Sequence, residues 1–226
     1  MAPQPARPRK DTHVQFFKNK QPDQMTIRRS GLFVSKKLTA DIEAAAPIAQ
    51  RLVREHYGRR PVVPVELVVT KTNKLSGLVA QSLGVAAGIK YEVWRDKVLS
   101  LTARPGDIYA VTVAGPQNSI RIFLNAQRLR RRKGQEVGPT LVYAMVEVDQ
   151  LCRKGGPDAQ IALARHEMGT HVLNKPALKK LYKELVARED EAEKATQKIM
   201  GKVVRNHRRQ EAEVQRQVPA ATAGRS

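Results

Sequence analysis

Asp107-Ile108-Tyr109-Ala110-Val111-Thr112-Val113, followed by Ala114-Gly115-Pro116-Gln117-Asn118 and then Ser119-Ile120-Arg121-Ile122-Phe123-Leu124-Asn125, is the segment from which the architecture can be read. Two β-type runs flank a Gly-Pro-Gln-Asn turn, and this pattern predicts a hairpin. Apolar and basic residues share the run 120–124, as expected of a strand with one face on a core.

Upstream of the hairpin, residues 62–70 are Val-rich. Pro64 confines that run to a sheet edge or to a strand beginning after it. Residues 90–101 alternate loosely, a weaker strand signal. Before them Ile42, Ala45, Ala46, Ala49, Leu52 and Val53 follow three-four spacing, predicting a helix with Thr39 as its cap. Pro47 would kink that helix or mark its true first turn, and Gly58 is its expected stop. Residues 1–35 are Pro-rich, basic and without periodicity, and read as a disordered arm.

Downstream, residues 128–133 form a dense basic cluster, either a solvated loop or an anion-docking patch. Helices are expected over 140–152 and 158–173, separated by Lys154-Gly155-Gly156-Pro157. A long polar helix should then run from Ala177 to about Gln217. Its apolar stripe of Leu178, Leu181 and Leu185 fades after Val186, so the first turns should pack and the rest project as a basic arm. The expected organisation is therefore an arm over 1–35, an α+β domain over 36–190 and a basic helical tail over 191–226.

The balance of 41 Lys and Arg against 21 Asp and Glu gives a formal net charge of +20. Such an excess draws in polyanions: nucleic acid, an anionic membrane surface or an acidic protein segment. A lone cysteine, Cys152, excludes an internal disulfide and a multi-cysteine zinc site, and fits a reducing compartment. Its helical surroundings make it a packing thiol. No apolar run approaches the roughly 20 residues of a membrane helix. The basic N-terminus lacks a secretory signal's apolar middle. As a mitochondrial leader it is opposed by prolines at 3, 5 and 8.

One short motif carries chemistry: Ala164-Arg165-His166-Glu167-Met168-Gly169-Thr170-His171. Zinc peptidases commonly set two histidines four residues apart on a helix, with a glutamate beside the first as general base. Here the histidines are five apart, which in a regular α-helix puts them roughly 140° apart around the axis. A local π-bulge would realign them, and Gly169 would ease the widened turn. His13, His56 and His207 have no such company and read as surface or packing residues.

The run His-Glu-Met-Gly-Thr-His-Val-Leu resembles the His-Glu-hydrophobic-Gly-Thr-His signature of the microtubule-associated tyrosine carboxypeptidases and their bacterial relatives. The resemblance covers about ten residues, with looser agreement in the order of strand, helix and motif. It implies a zincin-like domain: a small antiparallel or mixed sheet packed on motif-bearing helices. It further implies Zn2+ held by His166 and His171, Glu167 as general base, and an acidic protein substrate such as the C-terminus of α-tubulin. The family's third ligand is a downstream glutamate, for which Glu191 is the first choice here, with Glu184 and Glu189 behind it. A cytoplasmic, cytoskeleton-associated location accompanies this reading. The alternative is a catalytically degenerate, basic RNA- or ribonucleoprotein-binding protein.

Overall fold

The computed structural model describes residues 25–30, 34–90, 92–93, 108–131 and 135–217. A four-stranded mixed sheet in the order β1-β2-β4-β3 lies at its centre. Strands β1 (Met25–Ser30), β2 (Val65–Thr70) and β4 (Ser119–Asn125) are parallel, and β3 (Ala110–Gly115) is the antiparallel edge strand. The hairpin expected from residues 107–125 is β3–β4. Its three-residue 3-10 connection, Pro116–Asn118, holds Gln117 and Asn118 at positive φ. Residues 25–30, read as part of the N-terminal arm, instead pair in register with all of β2 as β1. Their alternation is too short, and too rich in Arg and Thr, to stand out from a basic arm. The alternating run 90–101 lies almost wholly outside the described residues.

Period-two alternation in β2 and β4 gives the sheet two cores. Val65, Leu67, Val69, Ile120, Ile122 and Leu124 face one side, where they join the main core. Val68 and Phe123 face the other side with Val113, against Leu75 of α2 (Thr72–Ala86). On the main side lie α1 (Lys36–Tyr57), α4 (Val137–Leu151) and part of α6 (Lys175–Gln217). Between β4 and α4 comes the short helix α3 (Ala126–Arg131).

Helix α1 starts four residues earlier than expected, because Ser35 rather than Thr39 supplies the cap: its hydroxyl oxygen accepts from Leu38 N at 3.4 Å. Thr39 is buried one turn in and donates to the Ser35 carbonyl. Pro47 lies inside α1, on its exposed side, so the carbonyl it leaves without a helical donor can be hydrated. Gly58 ends the helix in the left-handed conformation, φ 69°. Helix α2 was not read from the sequence. Its Ser, Gly and Ala content gives a weak apolar stripe, and its N-cap residue, Lys71, supplies no side-chain cap bond; Gln127 Oε1 accepts from Thr72 N–H instead, at 3.2 Å.

Helix α6 reverses the expected packing. Its first turns, with Leu178, Leu181 and Leu185, are only partly buried. The segment seated in the main core is Ala192, Ala195 and Ile199, so the packed body runs past residue 190. Two alanines carry little hydropathy signal, yet they let α6 approach α4 closely, which a longer stripe would prevent. From Val204 to Glu213 every residue is exposed.

Candidate functional site

The motif sits at the end of α5 (Asp158–Glu167), and the helix is anchored at both ends. Gly156 is required just before it, because a Cβ there would come 2.4 Å from the Leu151 carbonyl oxygen and 2.5 Å from that of Gln150. Its own carbonyl accepts from Arg188 of α6. On the sheet side, the Gln160 amide bridges the free edge of β3, donating to Thr112 O and accepting from Ala114 N, both at 3.0 Å. A side-chain amide there satisfies two backbone groups that an edge strand otherwise leaves open. Near the C-terminus, Arg165 Nε donates to Ala87 O at 3.0 Å, tying α5 to the end of α2.

After Glu167 the helix stops. Gly169 adopts φ 71°, its N–H bonds the His166 carbonyl at 3.0 Å, and Thr170 N–H bonds the Arg165 carbonyl at 2.9 Å. This pair of bonds is a Schellman cap. The expected π-bulge is therefore not formed. Gly169 supplies the left-handed residue that terminates a regular helix, rather than easing a widened turn within it. Met168, buried with Ala87, Ile89 and Ile161, clamps the cap against the end of α2.

The three motif residues consequently differ in setting. His166 is partly buried, and its Nδ1 accepts from Leu173 N–H at 3.1 Å. Glu167 and His171 are exposed. Desolvation raises the Glu167 carboxyl above its ordinary value, against the opposing pull of His166; its exposure lets solvent screen much of that effect. His171 and Thr170 help line an open cavity of about 520 Å³ whose other walls include Gly88, Ile89, Lys90 and Arg165. Two permanent cations facing one cavity make it suited to an anionic group.

Glu191 is engaged elsewhere. It accepts both terminal nitrogens of Arg153, at 2.5 and 2.9 Å, and this pairing holds its carboxyl below the ordinary range. Arg153 also reaches Asp149, which Arg59 binds through two 2.6 Å hydrogen bonds. Both guanidiniums lie over the Tyr57 ring. The assembly staples α1, α4 and α6 together. Glu184 pairs with Arg188 one turn away. Glu189 is exposed and lies near Tyr143 and Glu147 of α4, where its charge raises both.

As donors, two imidazoles and a carboxylate suit zinc. A catalytic zinc needs three such protein ligands. Among the described residues no group of three His, Cys, Asp or Glu comes together. An Nδ1 that accepts a hydrogen bond also puts the imidazole proton of His166 on Nε2, so neither nitrogen is turned free to a metal.

Sequence reading passed over a second carboxyl. Glu147 stands alone in the apolar run of α4, and burial raises its pKa to about 7. Tyr143, one turn earlier, is likewise raised by burial. The signal was present: a Tyr and a Glu four apart in Leu141-Val-Tyr-Ala-Met-Val-Glu-Val148 share one stripe of an otherwise apolar helix. Cys152 is half-buried with its thiol pushed up by burial, in keeping with a packing role. The basic cluster 128–133 begins in α3, where Leu129 is buried and Arg128 lies 5.2 Å from the Tyr109 ring centre.

No protein-family model, no curated protein and no solved structure matches this chain. Among the described residues, no helix is long and apolar enough to cross a membrane.

Proposed function

We propose that this chain is a zinc metallopeptidase of carboxypeptidase type, acting on acidic protein tails such as the C-terminus of α-tubulin. The observation that carries the reading is the cavity beside the motif. His171 and Thr170 form one wall, and Lys90 and Arg165 face into the same space, where a substrate's terminal carboxylate would be held. The mixed four-stranded sheet packed on helices supports the reading at the level of a mixed α/β fold only.

His166 and His171 would hold the zinc, after Leu173 N–H gives up Nδ1 and the imidazole proton moves to that nitrogen. Bound zinc would polarise the scissile carbonyl and acidify water. Glu167, already raised, is suited to take up a proton and return it to the leaving amine. The net charge of +20 favours encounter with acidic tails.

Purified protein should carry about one zinc per chain, lost in His171→Ala. Glu167→Gln should keep the metal and lose a factor of about 10² to 10⁴ in release of the C-terminal residue from acidic peptides. Stoichiometric zinc in His171→Ala would remove the assignment. Metal-free protein that cleaves no peptide, yet binds RNA with steep salt dependence, would replace it with the nucleic-acid reading.

A further inference from the structure

Outside the motif, the outer half of α6 carries a one-signed charge distribution along a single helix face. The sixteen residues 194–209 contain six Lys or Arg and no Asp or Glu. Five of them, Lys194, Lys198, Lys202, Arg205 and Arg209, follow one another at steps of four, four, three and four. That spacing keeps them within about 80° of each other around the helix, along a ridge about 22 Å long. All five are exposed, and none is in an ion pair among the described residues. The field of the ridge is felt across the groove to α1, where burial and then Lys198 and Lys202 lower the pKa of His56. Beyond Ile199 the helix leaves the core, and residues 204–213 are exposed on every side.

We propose that this outer half of α6 is a docking arm for B-form duplex DNA, with the ridge seated on backbone phosphates. The choice among polyanions follows from shape. Past Ile199, where α6 is free of the core, the helix is about 10–12 Å across and fits a B-DNA major groove about 12 Å wide, while Lys194 and Lys198 on the packed stretch would meet flanking phosphates. The major groove of duplex RNA is too narrow and deep to admit it. An anionic membrane would need large apolar side chains on the opposite face, but between 204 and 213 only Val204 and Ala212 are apolar. An acidic peptide would need a cationic groove, and the grooves flanking the ridge are also lined by Glu55, Asp190 and Glu191. Phosphate contacts of this kind bind with little regard to sequence.

The test uses the full chain and a mixed-sequence DNA duplex, titrated across a salt series. Each phosphate contact contributes about 0.9 to the slope of log K against log salt. Changing Lys194, Lys198, Lys202, Arg205 and Arg209 together to Gln should flatten the slope by up to about 4.5, and weaken binding at least about tenfold at low salt. A second variant removes equal charge from other exposed sites: Lys36, Lys37, Lys74, Lys179 and Lys180 to Gln. It should keep most of the wild-type slope. Equal losses in the two variants would overturn the proposal, since net charge alone would then account for binding. So would tighter binding to duplex RNA, or to vesicles of mixed neutral and anionic lipid, than to DNA. Circular dichroism of both variants verifies that the fold is retained.

Discussion

Glu191 separates two physical roles that sequence alone does not distinguish. A glutamate downstream of a histidine pair can complete a metal site, or it can bind an arginine that must be held. In the fold it takes both terminal nitrogens of Arg153, in a cluster with Asp149, Arg59 and Tyr57. The Glu191 side chain is 41% exposed and that of Arg153 34%, so solvent screens the pair. Glu191→Gln should therefore lower stability by only about 0.5–1 kcal/mol, read as a small fall in the urea midpoint. The zinc content of that variant should match wild type. Loss of zinc without loss of stability would return Glu191 to the metal.

At the scale of elements, the end of α5 governs the motif. Gly169 at φ 71° satisfies carbonyls that would otherwise be left open, and Thr170 and His171 both hang from the Arg165 carbonyl. An L-residue there is strained, so Gly169→Ala should destabilise the protein by about 1 kcal/mol. A thermal melt with no change, or an increase, would show that the cap does not persist in solution. The same turn explains what sequence reading could and could not reach. The hairpin strands, α1, α4 and the start of α5 were legible, because periodicity and turn residues agree there. A glycine between two histidines is compatible with a bulge or a stop. Met168, buried on α2, decides for the stop through a contact more than seventy residues away in sequence. Strand β1 was hidden for a similar reason. Met25–Ser30 acquires strand character only from pairing with β2, some forty residues later. The packed part of α6 escaped because close helix approach selects alanine, whose hydropathy is slight.

Across the whole molecule, Glu147 couples stability to pH. It sits on α4 where that helix meets Thr112 of the edge strand, with Glu189 of α6 nearby, and its pKa is raised to about 7. Tyr143, Glu189 and Glu193 share the same α4–α6 seam, so ionisation of Glu147 adds a negative charge that, among the described residues, no cation offsets. The sign follows from proton counting. Between the ordinary carboxyl value of 4.5 and about 7, the folded chain holds a proton that the unfolded chain has released. Stability contributed by this group therefore falls as pH rises through that window. The penalty above pH 7 is on the order of 1–3 kcal/mol, the lower end applying if the side chain can turn toward solvent. Glu147→Gln keeps the shape and removes the charge. Its melting temperature should exceed that of wild type at pH 8, and the gap should close by pH 5. The opposite result, a variant less stable than wild type at pH 8, would mean that the ionised carboxylate is held by a cation. In that event the α4–α6 seam, rather than the turn after α5, would become the first place to look for a bound metal.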